Sequence, residues 1–137
     1  MKYILIYLLM ACAAPAMAQA VPGVVDKDIR AQTHEELRIT ASALEEAIKL
    51  KPAEVDLRVK LGFAYTRLEK ADEAQRAFES TVSLDPRKAI AHYMLGLIYE
   101  KKGLTAQALA AWRACLDSTQ DPRMRDTAIR HIHHLSH

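Results

Sequence analysis

A chain of 137 residues and 15.4 kDa has room for one domain and not for two ordinary ones. Hydrophobic residues make up 50% and charged residues 26%, which excludes wholesale disorder. The net charge of +2 excludes a nucleic-acid binder working by phosphate neutralisation, and two cysteines, Cys12 and Cys115, exclude a disulfide framework or a thiolate metal site.

The chain opens like a secretory signal peptide. Lys2 is followed by an uncharged apolar run over residues 3–14, and Ala16-Met17-Ala18 is a small-x-small cleavage site before Gln19. The run is shorter than the ~20 residues that a membrane-spanning helix needs. A buried N-terminal helix would have to explain why no charge occurs between Lys2 and Asp26. Leu9-Met10-Ala11-Cys12 also resembles a bacterial lipobox, in which the cysteine becomes the lipidated first residue. Both forms of processing expect a chain outside the cytoplasm, and the bacterial look points to the periplasm. Cleavage after Ala18 leaves Cys115 as the lone thiol, which must be buried to escape oxidation or intermolecular pairing.

Residues 19–32, with Pro22 and Gly23 and no clear period, read as a flexible leader holding at most one loose helical turn. Thr33 then looks like a helix N-cap, with Glu36 three residues on completing a capping box. Leu37, Leu44, Ala47 and Ile48 follow at helical spacing, and Lys51-Pro52 marks the stop. From residue 54 onward every segment has a helical period and none alternates as a strand does.

The punctuation is regular. Pro52 and Pro86 are 34 residues apart, and Pro122 follows after 36. At an offset of 34, Leu61-Gly62 falls on Leu95-Gly96, Tyr65 on Tyr99, Ala74 on Ala108, Ala77 on Ala111, and Phe78 on Trp112. This pattern of small and aromatic residues resembles the tetratricopeptide repeat family, in two consecutive copies in phase. Leu84-Asp85-Pro86 closes the first copy as that family does. The chain departs from it at Glu69, where the turn usually has glycine (Gly103 fits), at Arg58 and His92, where tryptophan is frequent, and at Pro122, two residues late. Leu44 to Pro52 looks like the end of an earlier copy whose first helix is not recognisable.

The resemblance implies an all-α fold, a right-handed superhelical stack of antiparallel helix pairs over residues 33–137. Full repeats lie at about 55–88 and 89–122, a partial one at about 39–54, and a capping helix at about 122–136. Two full repeats are near the lower limit for an array standing alone, and self-association would be one remedy. Independently of the family, a glycine inside a helix costs about 1 kcal/mol relative to alanine. Gly62 and Gly96 at the same phase therefore call for close approach of a neighbouring helix, with Ala74 and Ala108 as the expected partners and Tyr65, Tyr99, Phe78 and Trp112 filling the wider part of the wedge.

On a wheel of residues 54–68, Leu57, Leu61, Ala64 and Leu68 mark a core face, and Val59 and Phe63 lie opposite. Residues 89–102 repeat this, with Ala91, Leu95 and Ile98 on one side and Ile90, Tyr93 and Leu97 on a second. One apolar stripe suffices for an ordinary surface helix, so the second asks for a further contact. The resemblance implies that it lines a concave groove for a peptide or partner helix: Val59, Phe63, Ile90, Tyr93 and Leu97, with Arg67 and Lys101 toward one end. The leader, the last helix or a second copy could cover the same stripe. The groove lacks the Lys and Asn residues with which some members clamp a C-terminal carboxylate.

The tail His131-Ile132-His133-His134-Leu135-Ser136-His137 offers histidines of the kind that bind zinc, copper or nickel. The wheel spreads His131, His133, His134 and His137 over different sides of a helix, which favours a solvated, dipole-complementing end over one compact site. No phosphate loop, metal-hydrolase pair or nucleophile elbow is present, so no catalysis and no cofactor are expected. The expectation is an exported, non-catalytic interaction module with a protein or peptide partner, no nucleic acid and no membrane span in the mature chain. Two alternatives are a metal- or cofactor-handling accessory using the histidine tail, and an envelope-assembly factor anchored by lipid at Cys12.

Overall fold

The computed structural model describes residues 28–137, so the signal segment, the lipobox cysteine and most of the leader lie outside the described residues. Six α-helices follow a short 3-10 turn, Ile29–Ala31: α1 His34–Leu50, α2 Val55–Arg67, α3 Ala71–Leu84, α4 Ala89–Lys101, α5 Thr105–Ser118 and α6 Pro122–Leu135. Each helix packs on the next in sequence, and there is no strand among the described residues. This is the all-α stack of helix pairs that the repeat implied, with α2–α3 and α4–α5 as full pairs.

Local chemistry sets the ends. Glu36 N–H donates to Thr33 Oγ1 at 3.3 Å and Thr33 N–H to Glu36 Oε2 at 2.7 Å, so the capping box is formed and α1 starts at His34. Asp121 accepts from the N–H groups of Arg123 and Met124 at 2.8 and 3.3 Å, and Pro122 supplies the first turn of α6. Helices α2 and α4 end alike. Lys70 N–H bonds Tyr65 O and Leu104 N–H bonds Tyr99 O, both at 2.9 Å, which forces a left-handed residue at Glu69 (φ 59°) and Gly103 (φ 72°).

The residues just before α1 are packed. Gln32 is 3% exposed and accepts from the buried Thr40 hydroxyl at 2.7 Å, while Ile29 packs on the cluster of Leu37, Ala41, Leu44, Leu61, Ala64, Leu68 and Ala77. Ile29 and Gln32 thus tie the turn before α1 to the helical body, while Asp28, Arg30 and Ala31 stay exposed. A second, larger cluster spans α3 to α6 around Phe78, Leu95, Ile98, Trp112, Cys115 and Ala128.

The two glycines do permit a close approach, but the alanines are not what approaches. A Cβ on Gly62 would lie 2.6 Å from Phe78 Cζ, and one on Gly96 would lie 2.5 Å from Trp112 Cε2. Ala74 and Ala108 are buried nearby without facing the glycines most closely. Each repeat therefore seats the aromatic of its second helix flat in the notch of its first.

Candidate functional site

The second apolar stripe falls into two rows related by the repeat. Val59 and Tyr93 are equivalent positions of α2 and α4, as are Phe63 and Leu97, and Arg67 and Lys101. Val59, Phe63, Ile90 and Tyr93 are half-buried, while Arg67, Leu97 and Lys101 are exposed. The two aromatics are partly engaged from below. Phe63 meets Phe78 edge-on at 5.6 Å and Tyr93 meets Trp112 edge-on at 5.1 Å. Truncating either ring would thus disturb the core as well as any outer contact, at about 0.5–1.5 kcal/mol for such a pair. Leu97, 36% exposed, is the cleaner probe of the outer surface.

Charge on this side is sorted. Lys88 binds Asp56 at 2.8 Å and holds its carboxyl below the usual range, first through the hydrogen bond and then through charge. Arg67 donates to the Arg30 carbonyl at 2.9 Å, so the packed turn before α1 meets the α2 end of the row. Lys60 and Lys101 have no carboxylate within ion-pair distance among the described residues.

The pairs are joined by polar contacts that the sequence does not reveal. Tyr65 donates to Glu45 of the preceding helix, and Tyr99 to Glu79 at 2.7 Å. Both joints span 20 residues. Burial, then the hydrogen bond, then the neighbouring carboxylate push both phenols up to about 12. The last joint differs. Glu100 accepts from Trp112 Nε1 at 2.8 Å and is bonded by His131 Nδ1 at 2.8 Å to one oxygen and 3.0 Å to the other. The His131 ring stacks on the fully buried Trp112 with centroids 4.3 Å apart.

His131 is therefore a packing residue of α6 rather than part of a solvated end. His133 and His137 face each other at 4.8 Å between centroids, apart from it. No group of three or more His, Cys, Asp or Glu is placed to hold a metal ion among the described residues. Cys115 is fully buried, and burial pushes its thiol up to about 11, so it stays protonated and sheltered. No described helix is long and apolar enough to cross a membrane.

Two shallow cavities lie on the other flank of the same helices. One, about 300 Å³, is lined by residues including Arg58, Leu61, Tyr65 and Arg76. The second, about 340 Å³, has His92, Leu95, Tyr99 and Ala110 at the equivalent positions. Arg58 there donates to Ser80 at 2.9 Å, and His92 bonds the Pro86 carbonyl at 2.7 Å, so the residues replacing tryptophan are used structurally. Neither cavity includes any of the seven stripe residues.

A fold of stacked antiparallel helix pairs with these internal joints defines a helical-repeat protein, a class built for extended contact with other proteins. The sequence profile of the tetratricopeptide repeat matches residues 59–122, and the chain carries tetratricopeptide repeats over that stretch. It is a protein-interaction module of that kind. A crystal structure of MamA superposes with a TM-score of 0.59 at 18% identity, covering 84% of this chain and 88% of that one. A second structure, of MamA MSR-1 C2, gives a TM-score of 0.52 at 15% identity over 80% of this chain and 78% of that one. At such identity the likeness is one of fold. No curated protein matches the chain in sequence.

Proposed function

We propose that the chain is an exported, non-catalytic module that binds a protein or peptide partner across the concave face of α2 and α4. One observation carries this reading. The core is closed by Leu61, Ala64, Leu95 and Ile98, yet a second set of apolar residues recurs 34 residues apart and stays partly open to solvent at Val59 and Phe63, then Tyr93 and Leu97. Scattered surface apolar residues need no explanation, but a row repeated in two helices on one side does.

A photoreactive residue at Leu97 should give a discrete adduct with a partner in the native compartment, while the same residue at Ala110 on the other flank should not. Adducts from Ala110 alone would move the binding face to the opposite side. The export half rests on the pattern of residues 1–18 and is tested by mass mapping of the mature N-terminus. A start at Gln19 is expected, and a lipidated Cys12 would transfer the protein to the membrane surface.

A further inference from the structure

The histidines at the end of α6 divide into two kinds. His131 is spent on Glu100 and Trp112. His133 and His137 are exposed, face each other, and have no hydrogen-bond or ion-pair partner among the described residues. Their spacing of four residues puts both on one side of a helix. The turn between them is pinned: the Ser136 N–H donates to the Ile132 carbonyl at 3.1 Å and its hydroxyl donates to the same carbonyl at 2.7 Å. Helical backbone therefore continues through Ser136 and carries His137 one turn beyond His133. His134 is exposed but is in ring contact with neither.

We propose that His133 and His137 form a two-imidazole chelating site for a divalent transition-metal ion, with the remaining coordination positions left to water. The ring geometry supports this. A bound imidazole nitrogen stands ~2.0–2.1 Å from the metal and its ring centre about 1.1 Å further back, so two rings on one ion at roughly 90–110° have centres about 4.5–5.2 Å apart. The observed separation is 4.8 Å, with the planes tilted by 52° rather than stacked. Neutral imidazole suits copper, nickel and zinc, whereas magnesium and calcium take oxygen ligands. Among the nitrogen-seeking ions, Cu2+ should bind tightest, above Ni2+ and Zn2+. The nearest paired cation offers no obstacle, since Arg130 is held by Asp126 at 3.3 Å.

The competing explanation is that these histidines only complement the dipole at the end of α6. Calorimetric titration of the purified protein at neutral pH with Cu2+, Ni2+, Zn2+ or Mg2+ alone separates the two. One Cu2+ per chain is expected, with weaker Ni2+ and Zn2+ and no Mg2+. His133→Gln and His137→Gln should each weaken Cu2+ binding at least about ten-fold, because the second ligand of a chelate binds at high effective concentration. His134→Gln should leave it unchanged. The three positions are exposed, and an unchanged helical CD spectrum checks that each variant folds. Cu2+ should also raise the melting temperature of the parent protein, and not that of His133→Gln. Binding equally weakened by His134→Gln would overturn the pair in favour of a diffuse histidine tail. One ion per two chains, with a dimer in sedimentation, would overturn the open site in favour of one shared by two copies. No binding, or binding unchanged by any of the three substitutions, would overturn the proposal outright.

Discussion

Gly96 has no Cβ, and that missing carbon decides how near the Trp112 ring comes to α4. Alanine there would place a carbon 2.5 Å from the indole, too close for any relaxed packing. Gly96→Ala should therefore cost about 1–3 kcal/mol in urea unfolding, with part of the loss recovered when Trp112→Leu is added. An unchanged midpoint would remove the indole from that notch. The glycines were legible in the sequence as close-approach sites because helical glycine is costly. Their partners were misread, because which residue of the second helix fills the notch depends on the angle at which the turn returns the chain. The turn itself offers a second test. Glu69 sits at φ 59° where Gly103 does the same work without a side chain. A left-handed residue with a Cβ is strained by roughly 1–2 kcal/mol, so Glu69→Gly should raise stability, by about 1 kcal/mol after the extra freedom of glycine in the unfolded chain is counted. Gly103→Ala should lower it.

Between elements, the tyrosine hydroxyls tie each pair to the one before. Their phase was visible in sequence, whereas their acceptors were not, since Glu45 and Glu79 look like ordinary solvated carboxylates until helices from different repeats are brought together. These joints give the array an alkaline limit. Tyr65 and Tyr99 are raised from 10.0 to about 12 in the folded protein. The folded state thus holds these protons more tightly, and the joint contributes fully below the unfolded value and fades as pH climbs toward 12. Stability measured from pH 9 to 12 should fall with a slope that becomes shallower in Tyr99→Phe, with Cys115, raised to about 11, as a background common to both proteins. An identical slope would mean that Tyr99 titrates freely. The third joint was illegible for the same reason: His131 was read by wheel position on its own helix, and its partners lie on α4 and α5.

At the scale of the molecule, the order of helices, the capping box and the repeat register followed from periodicity and punctuation alone. The burial of Gln32 did not, because a buried glutamine answering a buried threonine leaves no trace in hydrophobic pattern. Trp112, the single tryptophan, stands where α4, α5 and α6 meet. If the short array unfolds as one unit, its fluorescence and the far-ultraviolet CD signal should trace the same urea transition; a displaced fluorescence curve would mark α6 as a separately melting end. The tyrosine joint also bears on how such a chain can lengthen. Each 34-residue unit carries a donor in its first helix and an acceptor in its second, so Glu79 serves the unit that follows just as Glu45 serves the unit containing Tyr65. A tandem duplication of one unit would arrive with both halves of its connector in place, needing no new chemistry at the seam. At the positions one unit further on stand His133 and Arg113, which cannot make that bond as tyrosine and glutamate do, and there the inheritance of the joint stops.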